Sequence, residues 1–297
     1  MPSHPSPLSS PSPLSSPLAA PSSAPLSRSA VVTTLRAAGC VFAEDEAELL
    51  LATARTADEL AAMVERRTLG QPLEHVVGWA EFCGRRITVD PGVFVPRRRT
   101  EFLVGQAVGL GLRAAERTGR LPVVVDLCCG SGAVGAVLAA ALGRVELYAA
   151  DIEPAAVRCA RGNIAAAGGA VHEGDLFDAL PADLRGRIDI LVANVPYVPT
   201  EEVGLLPPEA REHEPLVALD GGADGLDVLR RVTAAAPRWL APGGHLLVET
   251  SERQAPRAVD AFTRNGLLPR VADSDELYAT VVIGTRPADA GGAGKPS

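Results

Sequence analysis

The strand-like stretch Ile188-Asp-Ile-Leu-Val-Ala ends in Asn194-Val-Pro-Tyr197, an ending able to hold a planar amine or amide. An Asn side chain offers one carbonyl acceptor and two donors. Pro196 has no backbone N–H, so the carbonyls around it are left to accept from an incoming NH2 group. Tyr197 adds a flat aromatic face. The same residue types also make ordinary strand-to-loop turns, and both readings apply to this stretch taken alone. An apolar run broken by Asn and Pro has the character of a central parallel strand stopping at the carboxyl edge of a sheet, where open α/β folds place their ligands.

A second stretch, Val123-Val-Val-Asp126-Leu-Cys-Cys-Gly130-Ser-Gly132-Ala-Val-Gly135, reads as strand, glycine-rich turn and helix. Gly130 and Gly132 let the backbone approach a ligand closely, and the helix start presents unpaired N–H groups. A nucleoside cofactor suits such a turn. A further apolar run, Val145 to Ala150, ends in Asp151, placed where an acid reaches ribose hydroxyls. The glycines also fit G-x-G-x-x-G, which keeps a nicotinamide or flavin cofactor as a rival. Asp126 opposes that rival, because an acid at the loop entrance repels a pyrophosphate and welcomes a cationic aminoacyl group. S-adenosylmethionine carries such a group. Structurally, Asp126 is also readable as a cap for the following helix, and Asp151 as the N-cap of a helix beginning near Pro154.

These segments resemble the protein-glutamine N5-methyltransferases of the HemK/PrmC type, over about residues 30 to 286. The likeness rests on Pro91-Gly-Val-Phe-Val-Pro-Arg97, Asp126-Leu-Cys-Cys-Gly-Ser-Gly132, Gly174-Asp175-Leu-Phe-Asp-Ala-Leu180 and Asn194-Val-Pro-Tyr197. Glu212-His-Glu-Pro-Leu-Val-Ala-Leu-Asp-Gly-Gly222 follows in the family's order. Two places depart from the family pattern. Val195 stands in an Asn-Pro-Pro-Tyr motif, and Pro96-Arg-Arg-Arg-Thr-Glu101 replaces Pro-Arg-Pro-Glu-Thr-Glu. Position 195 is read as contributing mainly backbone shape.

The resemblance implies methyl transfer from S-adenosylmethionine to a glutamine side-chain amide, with a peptide chain release factor as the protein partner. It implies that Asp126, Cys128, Cys129, Gly130, Ser131, Gly132, Asp151, Asp175, Leu176 and Asn194 hold the cofactor. Asn194, Pro196 and Tyr197 would be catalytic, and Val195 would join them in holding the substrate. Nucleic-acid amino methyltransferases share the Asn-Pro-aromatic device, so methylation of adenine N6 or guanine N2 is the alternative. A non-catalytic S-adenosylmethionine-binding protein is another, since a fold does not fix a function.

The elements that must position these residues read as an α/β domain. The resemblance implies the Rossmann-like S-adenosylmethionine-dependent methyltransferase fold, a mostly parallel seven-stranded sheet with an antiparallel edge strand. Past the Asn194 loop, the pattern predicts a helix over 225–240, a strand over 244–249 and a helix over 254–265. Strands near 267–272 and 277–283 then close the sheet as an antiparallel hairpin. Ahead of the domain, apolar spacing from Ala30 to about Leu73 is helical, and residues 81–90 alternate around Gly84 as a hairpin linker does. The expected division is a Pro/Ser-rich tail over 1–28, a helical substrate-recognition domain with hairpin over 29–90, the methyltransferase domain over 91–286, and a tail over 287–297. The first tail holds eight prolines and ten serines, a composition that cannot bury a core.

A formal charge of −8 argues against wrapping a long nucleic-acid backbone. No signal peptide or membrane span is legible, which leaves a cytoplasmic enzyme, expected as a monomer. Cys40, Cys83, Cys128, Cys129 and Cys159 form no C-x-x-C pair, so neither a metal site nor a disulfide framework is expected. Cys128 and Cys129 read as small packing residues of the loop, and the scattered histidines as structural.

Overall fold

The computed structural model describes residues 26–288. The expected tails therefore fall, over 1–25 and 289–297, outside the described residues. Four helices come first: α1 (Arg28–Ala37), α2 (Ala43–Thr53), α3 (Ala57–Thr68) and α4 (Leu73–Val77). Ser27 caps α1, accepting from the Ala30 N–H. Thr56 caps α3, accepting from the Glu59 N–H while Glu59 reaches back to Arg55 N. Their apolar faces close on a small core of Val31, Leu35, Ala47, Leu50, Leu60 and Met63. Inside it, Arg67 of α3 makes a two-pronged ion pair with Glu46 of α2, at 2.7 and 3.1 Å.

A hairpin follows, β1 (Trp79–Phe82) and β2 (Arg85–Thr88), turning on Cys83 and Gly84. Both turn residues have positive φ, 50° and 68°, the tight turn that matches strand twist. Helix α5 (Thr100–Thr118) comes next and had no counterpart among the expected elements. Its residues Leu103, Val104, Ala107, Leu110 and Ala114 recur at three and four positions and face the sheet.

The main sheet is built from β3 (Val123–Leu127), β4 (Glu146–Asp151), β5 (Ala170–Glu173), β6 (Ile188–Ala193), β7 (Leu240–Thr250), β8 (Leu268–Ser274) and β9 (Ala279–Thr285). Helices α6 (Ala133–Leu142) and α7 (Pro154–Ile164) link β3, β4 and β5 in turn. The short α8 (Pro208–His213) and α9 (Asp227–Trp239) lie between β6 and β7, and α10 (Ala255–Arg264) lies between β7 and β8. The strand order is β5-β4-β3-β6-β7-β9-β8, parallel from β5 to β7. Two core layers sandwich this sheet, and all six residues of the central β6 are buried. The chain leaves β3 in one direction toward β4 and β5, and later returns on its other side as β6. Ligands of open α/β sheets bind at such a reversal, outside the carboxyl ends of the strands.

The strand that runs against the others, β9, lies one place in from the edge, antiparallel to both β7 and β8. Its run Val281-Val282-Ile283 is fully buried and suits an inner place, whereas β8 carries Pro269, Arg270 and Asp273, which suit an open edge.

Candidate active site

Strand β3 ends in a loop wound tightly enough to put three left-handed residues among five. Cys128, Gly130 and Gly132 have φ of 57°, 54° and 76°. At a non-glycine such as Cys128 this conformation costs about 1–2 kcal/mol, so the surroundings must hold it. They do so by hydrogen bonds. Cys129 N donates to Ala150 O at 3.1 Å, Gly132 N to Cys129 O at 2.7 Å, and Gly130 N to Asp151 Oδ2 at 2.8 Å. Gly132 faces away from the cavity. A Cβ there would lie 2.9 Å from Ala160 Cβ, so its smallness lets α6 start against α7.

Asp126 is the fourth residue of β3 rather than a loop residue, and it is 2% exposed. Its Oδ2 accepts from Gly135 N at 2.8 Å, so it does cap α6. Burial pushes its carboxyl up to about 8, against the opposing pull of that N–H. Asp151, at the end of β4, spreads its two oxygens between Gly130 N and Glu153 N. It too is raised by burial, with those N–H groups opposing. Burial likewise raises the Cys128 and Cys129 thiols, which keeps both protonated and unreactive. Beyond β5, Asp175 pairs with Arg231 of α9 at 2.6 Å, and Leu176 has a φ of 50°. Phe177 stacks on Trp239 at 5.4 Å and seats this turn.

At the end of β6, Asn194 Nδ2 donates to Thr100 Oγ1, the first residue of α5, at 3.4 Å, which leaves Oδ1 for other partners. The Pro196 carbonyl packs against Gly221, where a Cβ would come within 2.6 Å of it. Tyr197 is held at both ends: its hydroxyl donates to Glu249 Oε1 at 3.1 Å, and its carbonyl accepts from Gln254 Nε2 at 2.9 Å. Burial raises the phenol, and the neighbouring Glu249 carboxylate adds to the effect. Val195 corrects the expectation for its position. Its side chain is 1% exposed and packs in the core cluster containing Ala193, Leu226 and Leu229, so it contributes packing as well as backbone shape.

One cavity of about 400 Å³ joins these places. Asp126, Cys128, Cys129, Gly130, Ser131, Asp151, Asp175 and Leu176 line it, and so do Asn194, Val195, Pro196 and Tyr197. Gly132 alone among the expected site residues does not. The sequence segments around Arg97 and Glu214 meet at the rim, where Glu214 accepts from Val95 N at 3.1 Å and from Arg97 Nη2 at 2.5 Å. The four-helix unit reaches the same rim. Arg67 Nη1 pairs with Glu209 Oε1 of α8 at 2.7 Å, and His75 Nε2 bonds Val93 O at 2.8 Å.

Sequence reasoning did not single out Arg99, Thr100, Glu214, Glu249 or Gln254. For Glu249 a signal was present, since it is a carboxylate ending an apolar strand, as Asp126 and Asp151 are. Among the described residues, no group of three or more His, Cys, Asp or Glu is placed to hold a metal. No described helix is long and apolar enough to cross a membrane.

A family profile described as Methyltransferase small domain matches residues 87–205. The chain is 38% identical to a protein of Geobacter sulfurreducens named Release factor glutamine methyltransferase, over 77% of this chain and 79% of that one. One of the same name from Mycolicibacterium smegmatis is 38% identical, over 84% of this chain and 92% of that one. A protein of Streptomyces pristinaespiralis named 4-amino-L-phenylalanine/4-methylamino-L-phenylalanine methyltransferase is also 38% identical, over 68% of this chain and 69% of that one.

Proposed function

Because this chain belongs to the release factor glutamine methyltransferase family, we propose that it moves a methyl group from S-adenosylmethionine to the side-chain amide nitrogen, N5, of a glutamine in a peptide chain release factor. A single observation carries the reading: one cavity has buried acids and a glycine loop at one end and Asn194-Val-Pro-Tyr197 at the other.

The residues present suit the donor. Bound S-adenosylmethionine supplies an electrophilic methyl on a sulfonium centre. Asp126, wholly buried and costly to ionise alone, gains from a cationic aminoacyl group beside it. A carboxylate has about four acceptor sites, so Asp151 can take ribose hydroxyls beyond its two N–H bonds. Cys128, Cys129, Gly130 and Ser131 form the loop wall, and Asp175 and Leu176 would flank the adenine.

An amide nitrogen is a poor nucleophile, so the acceptor end must orient it and leave it electron-rich. Asn194 Oδ1 accepts one amide hydrogen, a backbone carbonyl beside Pro196 accepts the other, and Tyr197 packs on the amide plane. Holding both hydrogens draws density onto nitrogen and aims its face at the methyl. Good orientation recovers about 7–11 kcal/mol of barrier, so no strong base is needed before transfer, and the proton the methylated nitrogen then sheds would pass by way of the accepting oxygen to solvent. The four-helix unit, pinned to the rim through Arg67 and Glu209, would receive the body of a protein substrate. Five free thiols agree with a cytoplasmic setting.

A second acceptor is favoured by Arg99, which brings a half-exposed cation to the acceptor end of the cavity. A free amino acid bearing a ring amine, of the kind named for the Streptomyces pristinaespiralis relative, would offer it a carboxylate. The test is incubation with labelled cofactor and, separately, a purified release factor, 4-aminophenylalanine and oligonucleotides, with the label mapped by mass spectrometry. Label on a release factor glutamine is the expected result. Label only on the ring amine supports the second acceptor, and label on adenine or guanine overturns both.

A further inference from the structure

Glu249 is 2% exposed, and its Oε1 takes two bonds at once, from Arg99 Nε at 2.9 Å and from Tyr197 Oη at 3.1 Å. The Arg99 guanidinium carbon also lies over the Tyr197 ring, 5.7 Å from its centroid. These three side chains come from the start of α5, the loop after β6 and the end of β7. We propose that Glu249 is a positioning residue for methyl transfer, fixing Tyr197 and Arg99 so that one face of the ring is presented to the acceptor. The proposal rests on the acceptor reading above and concerns how that end of the cavity is held in shape.

Three physical arguments support it. A phenol left unbonded in the cavity would donate to the acceptor amide's carbonyl; Glu249 removes that competing donor by taking the hydroxyl hydrogen. A buried carboxylate is costly unless paired, and Arg99 provides the compensating charge while covering one side of the ring. The other end of Tyr197 is also tied to the segment after β7, through Gln254 Nε2. Strand β7 and the segment that follows it thereby clamp the aromatic residue at two points, one on the side chain and one on the backbone. Swinging the side chain about Cα–Cβ would break the Glu249 bond and open the Arg99 contact together.

The experiment compares Glu249→Gln, Tyr197→Phe and their double variant. The chain has three tyrosines, so tyrosine-labelled protein gives few ring signals by NMR, and the one lost in Tyr197→Phe is Tyr197. With cofactor bound, Glu249→Gln is expected to shift or broaden that signal and leave the other two unchanged. The single-turnover rate is expected to fall about tenfold to a hundredfold, with cofactor Kd within about twofold of wild type. The double variant should be no slower than the slower single one, because both act on the same bond: glutamine keeps an acceptor but loses the charge that strengthens it, and phenylalanine removes the donor. Arg99→Ala should disturb the Tyr197 signal too, with Arg99→Lys restoring part of it. An unchanged Tyr197 signal in Glu249→Gln, or rate losses that multiply in the double variant, would overturn the proposal. If Glu249→Gln does not fold, the Arg99→Ala and Tyr197→Phe pair decides by the same two readouts. The NMR result needs no acceptor, so it stands apart from whether wild type methylates a release factor.

Discussion

The Asn194 side-chain amide donates to the Thr100 hydroxyl at 3.4 Å, tying the end of the central strand to the first residue of α5. At that length the bond contributes orientation more than strength. It turns Oδ1 away from α5, leaving the acceptor the proposed chemistry requires.

Asn194→Ala is expected to lower the single-turnover rate by about a hundredfold or more, as loss of one preorganised polar group does, while sparing most cofactor affinity. Thr100→Val should cost far less, since it loosens Asn194 without removing it. Rapid-quench measurement at saturating cofactor separates the two. A near wild-type rate in Asn194→Ala would sink the hydrogen-bond mechanism.

Asp151→Ala should weaken S-adenosylmethionine binding by roughly 1–3 kcal/mol. Because Asp151 also takes the N–H groups of Gly130 and Glu153, the same change should lower the melting temperature of the free protein. Calorimetry of binding and of unfolding reads the two effects separately.

The pH dependence turns on Asp126, raised from 3.8 to about 8 by burial. An acid raised in the folded state contributes stability that is fully present below its unfolded value and is lost as pH rises through about 8. A cation docked beside it favours the carboxylate, so binding should release a proton below about pH 8, and affinity should climb toward that pH. Titration calorimetry in two buffers of different ionisation enthalpy measures the proton. Asp126→Asn should abolish its share of the release, and a wild type that releases no more than this variant would contradict the assignment.

Gly132→Ala should destabilise the fold by about 1–3 kcal/mol, because φ is +76° and the new Cβ would sit 2.9 Å from Ala160 Cβ. Urea denaturation checks it. Gly130→Ala, with only Phe94 Cβ near at 3.9 Å, should be milder in stability and more damaging to cofactor binding.

Val195→Pro is expected to keep turnover within about threefold and to cost less than about 1.5 kcal/mol, the usual range for swaps that nearly conserve volume. Comparing denaturation midpoints and rates on one preparation tests both parts.

The loop end of the cavity was legible in the sequence because its signals are local. Gly130 and the acids of β3 and β4 each follow an apolar run, and those runs assign them to the carboxyl edge. Asn194, Pro196 and Tyr197 were legible for the same reason. The partners of those residues were not. Tyr197 and Glu249 stand 52 positions apart, and Arg99 and Glu249 stand 150 apart. They meet only because β7 lies beside β6 and α5 packs over both strands, and a charged or polar residue carries no mark of which distant group will neutralise it. Val195 shows the same limit, since burial on the core side is decided by Leu226 and Leu229, which arrive from another part of the chain. The inner place of β9 likewise rests on a competition between two strands for burial, settled in favour of Val281-Val282-Ile283. Local pattern set most of the elements, α5 excepted, and the residue types at their ends; which side chains face one another was decided by where the strands lie in the sheet.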